Sequence, residues 1–158
     1  MRCSPAFLLL MSVIPVVLLS CNSNRFFHET QRIPDATWNT ENKITFNVSI
    51  PDTSKRFLMF IDIRNDVDYP FANIYLFLDT RFPDGKTARD TIECRLADYD
   101  GRWLGSGAGS IKYNRFRFQK GIRFTRKGNY AFTFEQAMRK SQLKGIRDIG
   151  LEIETEQE

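Results

Sequence analysis

Ile44-Thr45-Phe46-Asn47-Val48-Ser49-Ile50 repeats every two residues. Ile44, Phe46, Val48 and Ile50 fall on one side and Thr45, Asn47 and Ser49 on the other, the pattern of a strand buried on one face. Pro51-Asp52 ends it. The same period governs the next segment. Phe57 to Arg64 sets Phe57, Met59, Ile61 and Ile63 on one face, with Leu58 and Phe60 opposite before the polar Asp62 and Arg64. Such a segment reads as a central strand covered on both sides.

Beyond the turn cluster Asn65 to Asp68, Phe71 to Thr80 alternates again, and Pro83-Asp84-Gly85 turns the chain, proline presetting φ and glycine accepting a positive one. Arg89 to Asp98 is a further strand, leading to the turn Asp98-Tyr99-Asp100-Gly101. In Ile111 to Phe118 the apolar side switches from Ile111 and Tyr113 to Phe116 and Phe118, which predicts a bulge or twist. Tyr130, Phe132 and Phe134 alternate with Ala131, Thr133 and Glu135. Asp148 to Glu154 buries Ile149, Leu151 and Ile153 and shows Glu152 and Glu154 to water. Gln136 to Lys144 alone has helix-compatible composition and is short. The expected class is therefore all-β: an antiparallel two-sheet sandwich of seven to eight strands, jelly-roll or Ig-like, with at most one short helix.

The amino-terminal stretch has a different logic. Arg2 precedes an apolar run from Pro5 to Leu19, and Ser20-Cys21 comes next. The run is too short for a bilayer-spanning helix and closes on a small residue and a cysteine, the layout of a bacterial lipoprotein signal. Residues 1–20 are read as cleaved, leaving Cys21 to carry a diacylglyceryl and fatty-acyl anchor of the palmitate kind, and 21–38 as a tether. The expected single domain spans 39–158. His28, the only histidine in the sequence, lies in that tether and is read as solvated. With Cys3 removed and Cys21 acylated, Cys94 is the one remaining thiol. It shares a strand face with Ile92 and Leu96, so a buried, inert role is expected.

Net charge is +4 and the isoelectric point about 9.1. Between Asp100 and Glu135 there is no acidic residue, while Arg115, Arg117, Arg123, Arg126 and Lys127 all fall there. Interleaved with Phe116, Phe118 and Phe124, they form either an ordinary solvated strand face or a contact for an anionic surface such as lipid headgroups. An exported chain disfavours nucleic acid. Gly105-Ser106-Gly107-Ala108-Gly109 lacks the Gly-Lys-Ser/Thr ending of a phosphate loop and precedes period-two sequence, so it is read as a bend. Asp98 and Asp100 open like a calcium loop but no closing glutamate is in place, and a turn built by Asp side chains is expected. With no partner for the lone histidine, no cysteine pair and no activated serine, neither an enzyme nor a cofactor is expected.

Read in order, Arg64, Tyr69-Pro70-Phe71-Ala72-Asn73-Ile74-Tyr75, Asp90-Thr91, Leu96-Ala97-Asp98, Gly101-Arg102-Trp103-Leu104-Gly105-Ser106-Gly107, Gly128-Asn129-Tyr130, Gln136-Ala137-Met138-Arg139 and Leu143-Lys144-Gly145-Ile146-Arg147-Asp148-Ile149-Gly150-Leu151 resemble the gliding-motility lipoprotein GldH family of the Bacteroidetes. The resemblance implies an outer-membrane envelope lipoprotein of the gliding machinery linked to type IX secretion, with other envelope proteins of that machinery as partners. The family has no catalytic residues to carry over, so only the lipid-bearing cysteine transfers, to Cys21. Asn22-Ser23-Asn24-Arg25 lacks the acidic run that marks surface export in that phylum, which implies the periplasmic face. The rival reading is a glycan- or peptidoglycan-binding lipoprotein; Tyr69, Tyr99 and Trp103 are the candidate contacts for a protein partner or a glycan, with Tyr113 a further ring that could line a groove. Exposed coplanar rings along a groove would favour sugar, and rings scattered or turned inward would favour a scaffold.

Overall fold

The computed structural model describes residues 24–157. Its strands are β1 (Arg25–Arg32), β2 (Thr37–Asn39), β3 (Ile44–Ile50), β4 (Phe57–Asp66), β5 (Asn73–Arg81), β6 (Thr87–Arg95), β7 (Ile111–Ile122), β8 (Gly128–Gln136), β9 (Gln142–Lys144) and β10 (Ile146–Thr155). Two four-stranded antiparallel sheets, ordered β1-β10-β4-β7 and β3-β8-β5-β6, face one another, and β2 pairs with β9 in a small ribbon. Each sheet interleaves early and late strands, which is the jelly-roll order. One turn of 3-10 helix, Pro34–Ala36, is the helical content of the described residues. The helix-compatible stretch from Gln136 to Lys144 instead finishes β8, turns and enters β9.

Alternation builds the core directly. Phe46 and Val48 of β3, Ile61 and Ile63 of β4, Leu76 of β5, Phe134 of β8 and Leu151 and Ile153 of β10 all point between the sheets and are buried. Each such side chain removed from water contributes roughly 1.5–3 kcal/mol. Phe26, Phe57, Phe124 and Tyr130 form a chain of ring contacts with centroids 5.1, 5.2 and 4.8 Å apart, closing one end. Cys94 points inward beside Ile74, as expected, and burial pushes its thiol up to about 12.

The tether expectation needs correction from Arg25 onward. Arg25–Arg32 pairs antiparallel with β10 from Arg25↔Glu154 to Arg32↔Asp148. Trp38 is fully buried, and its Nε1 donates to the Asn42 carbonyl at 2.7 Å. The folded body thus reaches back at least to Asn24 rather than beginning at 39. β1 escaped the sequence pattern because it is an edge strand whose faces are largely polar and partly exposed. The expected signal, 1–20, and Cys21 lie outside the described residues.

β7 differs as well. Ile111 to Arg117 pairs one for one with Asp66 to Phe60, and the register breaks come later, at Phe118 and again at Lys120-Gly121. Asn114, Phe116 and Phe118 keep to the inner side throughout. The apparent switch came from Ile111 and Tyr113, which sit opposite Asp66 and Arg64 on the outer face.

The sandwich has two distinct ends. Asn24, the connections 51–56, 82–86 and 123–127, and residues 155–157 gather at one, where the Thr155 amide donates to the Asn24 carbonyl at 2.8 Å. The connections 67–72 and 96–110 lie at the other.

Candidate functional site

β1, β10, β4 and β7 bring six polar side chains together on the outer face of their sheet. The register sets His28 beside Glu152, Gly150 beside Asp62, Asp62 beside Arg115 and Arg64 beside Tyr113. At the centre, Gly150 leaves room for its neighbours. A Cβ there would stand 2.9 Å from Thr30 Oγ1 and 3.2 Å from Asp62 Cβ.

His28 Nε2 lies 3.6 Å from Asp62 Oδ2 and 3.9 Å from Glu152 Oε2. Asp62 Oδ1 accepts from the Tyr113 hydroxyl at 2.7 Å. Glu152 Oε1 accepts from Arg25 Nε at 3.0 Å, and Arg115 Nη2 is 3.2 Å from it. Arg115 also reaches Glu154 at 2.7 Å and lies over the Phe60 ring, 4.1 Å from its centroid. This lid of side chains corrects two expectations. Glu152 is not shown to water but is 2 % exposed. Phe60 is covered by a guanidinium rather than by a further layer of structure.

The two carboxyls are tuned in opposite directions. Burial raises Asp62, and the Tyr113 hydrogen bond and the Arg115 charge only partly offset it. Burial would raise Glu152 too, but the Arg25 hydrogen bond and the charges of Arg115, Arg25 and His28 outweigh it, and the group is held below the usual carboxylate value. Asp62 Oδ2, fully buried, has no hydrogen-bond partner. The donor atoms of His28, Asp62 and Glu152 lie within 4.8 Å of one another and could hold a cation. His28 is exposed, as expected, but it lies in β1 beside two carboxylates rather than in a tether. Nothing local in the sequence signals this, because each member comes from a different strand.

The anticipated basic patch divides. Arg115 and Arg117 are on the outer face, and Arg115 is committed to Glu152, Glu154 and Phe60. Arg123, Arg126 and Lys127 lie instead at the Asn24 end, all exposed, with Arg126 Nε 3.7 Å from Asp84. Lys55, Arg56 and Lys86 share that end.

The aromatic candidates do not form a platform. Tyr69 is buried, and its hydroxyl donates to the Asn73 carbonyl at 3.0 Å. Trp103 is half-buried against the core, and Tyr113 is bound to Asp62. Tyr99 is 91 % exposed, with the Arg95 guanidinium 4.7 Å from its ring centroid.

Both loop readings hold. Asp98 Oδ1 accepts from the amides of Asp100 and Arg102 at 3.0 and 2.8 Å, so the loop is a turn built by its own aspartate. Ser106 and Tyr113 bridge across the glycine-rich segment, and Gly107 and Gly109 take positive φ.

The family model described as GldH lipoprotein matches residues 25–153. A protein of Christiangramia forsetii named gliding motility lipoprotein GldH homolog is 32 % identical over 94 % of this chain and 96 % of its own. The gliding motility lipoprotein GldH of Flavobacterium johnsoniae is 32 % identical over 98 % of each. Among solved structures, the Yersinia pseudotuberculosis-derived mitogen matches over 84 % of this chain and 88 % of its own, with a TM-score of 0.32 and 7 % identity. TmCBM61, solved in complex with β-1,4-galactotriose, matches over 83 % of this chain and 88 % of its own, with a TM-score of 0.32 and 12 % identity. The family match begins at β1 and ends in β10, the two strands that carry His28 and Glu152, and with near full-length relatives at this identity the chain belongs to the GldH lipoprotein family.

Proposed function

We propose that this protein is an outer-membrane lipoprotein, anchored on the periplasmic face through Cys21, that acts as a non-catalytic scaffold in the gliding-motility machinery and its linked type IX secretion. Its relatives' names supply the motility assignment. The observation that carries the anchored geometry is the position of Asn24. The chain enters the body three residues after Cys21, at the end that presents Lys55, Arg56, Lys86, Arg123, Arg126 and Lys127. Three residues reach at most about 11 Å, so acyl groups on Cys21 would hold this basic end against the headgroups. Each Lys or Arg near an anionic surface adds about 1 kcal/mol of attraction. The opposite end, with Tyr99 and Leu104 exposed, is then turned away from the membrane toward protein partners.

The test is a deletion strain complemented with the wild type or with Cys21→Ala. The wild type is expected in the outer-membrane fraction and Cys21→Ala in the soluble periplasm, with gliding and type IX cargo export lost in the deletion and restored by the wild type only. Intact motility and export in the deletion, or an unacylated wild-type chain in the cytosol, would overturn the reading.

A further inference from the structure

We propose that His28, Asp62 and Glu152 form a binding site for one divalent transition-metal ion of the zinc type on the outer face of the β1-β10-β4-β7 sheet. One ligand atom from each of the three converges there, all within 4.8 Å of one another. Asp62 uses Oδ1 for Tyr113 and leaves Oδ2, buried and without a hydrogen-bond partner, facing His28 Nε2 at 3.6 Å. Glu152 gives Oε1 to Arg25 and Arg115 and turns Oε2 toward the same nitrogen at 3.9 Å. A carboxylate held by a partner on one oxygen and open on the other is how outer-shell contacts orient metal ligands.

The spacing suits the ion. Donors about 2.0–2.2 Å from a tetrahedral zinc stand about 3.3–3.6 Å apart, so the His28 distances need only a small contraction, while the two carboxylate oxygens, within 4.8 Å of one another, close by up to about 1.5 Å. One imidazole and two carboxylates are ligands that zinc accepts. An ion would also resolve the anomaly of a carboxylate oxygen buried with nothing to satisfy it. His28 is 37 % exposed at its side chain, which gives an entry path and leaves an outward position for water. Three protein ligands and an open position make an exchangeable site rather than a closed structural one. Arg25 and Arg115 offset part of the negative charge, which lowers affinity in the same direction. The competing arrangement is His28 standing between the two carboxylates with no metal.

The experiment uses the processed chain, untagged and in detergent, stripped with EDTA and then titrated with zinc against a fluorescent chelator. Cobalt(II) absorption reads the coordination. His28→Gln, Asp62→Asn and Glu152→Gln are compared with Asp98→Asn at the far turn, each checked for folding by circular dichroism. The wild type is expected to take up one equivalent of zinc, to melt at a higher temperature with zinc, and to show cobalt bands of low coordination number. His28→Gln and Asp62→Asn should each bind at least about tenfold more weakly and lose the thermal shift, while Asp98→Asn behaves as wild type. If Glu152→Gln does not fold, His28→Gln decides, since its side chain is exposed. No zinc, cobalt or manganese binding by the wild type, or binding kept within twofold by folded His28→Gln and Asp62→Asn, would overturn the proposal.

Discussion

The Tyr113 hydroxyl donates a 2.7 Å hydrogen bond to Asp62 Oδ1 and ties β7 to β4 across the outer face of their sheet. The same contact, with burial as the larger cause, pushes the Tyr113 hydroxyl up to about 12. On the other side of the bond, burial keeps Asp62 above the ordinary carboxylate value. A carboxyl raised on folding stabilises the native state at pH below its unfolded value and loses that contribution as pH rises through its folded value. The ionised Asp62 therefore costs stability at neutral pH. Asp62→Asn keeps an acceptor for Tyr113 and removes the charge. Metal-free protein should gain about 1 kcal/mol at about pH 7 and less at about pH 4, read by urea denaturation.

Glu152 carries the opposite sign. Its folded value is depressed, so its contribution is present above the unfolded value and lost as pH falls through the folded one. Glu152→Gln should cost about 1 kcal/mol at neutral pH, because the amide oxygen can still accept from Arg25 but the buried negative charge that faces Arg25 and Arg115 is gone. The gap between variant and wild type should close on acidification. A pH series of denaturation midpoints for the two variants should therefore move in opposite directions.

Gly105 lies against β7 with no room for a side chain. A Cβ would meet Asn114 Oδ1 at 2.7 Å and the Tyr113 carbonyl at 2.8 Å. Asn114 cannot yield freely, since its Nδ2 donates to Asn65 Oδ1 at 2.8 Å in the buried interior. Gly105→Ala is expected to cost about 1–3 kcal/mol, and a drop in the thermal midpoint measures it.

Trp38→Ala should cost about 3–5 kcal/mol, the scale of a large aromatic lost from a core. Removing residues 25–32 should do more than shorten a leader. It strips the partner from β10 and exposes a long apolar strand edge, for which aggregation is the expected result. Size-exclusion chromatography of the truncated chain distinguishes this from the clean monomer that a passive tether would leave.

Reversing charge at the Asn24 end by Arg123→Glu, Arg126→Glu and Lys127→Glu together should weaken binding to phosphatidylglycerol vesicles, and raised salt should weaken the wild type in the same way. Arg115→Glu should change vesicle binding less and stability more, because Arg115 is held by Glu152, Glu154 and Phe60.

Strand identity was legible where burial falls on one face. In β3, β8 and β10 every second residue is apolar, because one side of each strand meets the opposing sheet, and period two states that without reference to any other part of the chain. β1 was not legible, since an edge strand covered by polar side chains has no such stripe. Tyr113 misled for a related reason: an aromatic ring on an outer face resembles a core position when only the local pattern is in view.

The sequence by itself determined the all-β class, the turns at Pro83-Asp84-Gly85 and Asp98 to Gly101, the inward Cys94 and the family resemblance, all of which rest on neighbours within a few residues or on their order along the chain. Only the tertiary structure decided the jelly-roll strand order, the split of the basic residues between an outer face and the Asn24 end, and the meeting of His28, Asp62 and Glu152. Those depend on which strands lie side by side. Alternation says which way a side chain points and is silent on what stands across from it.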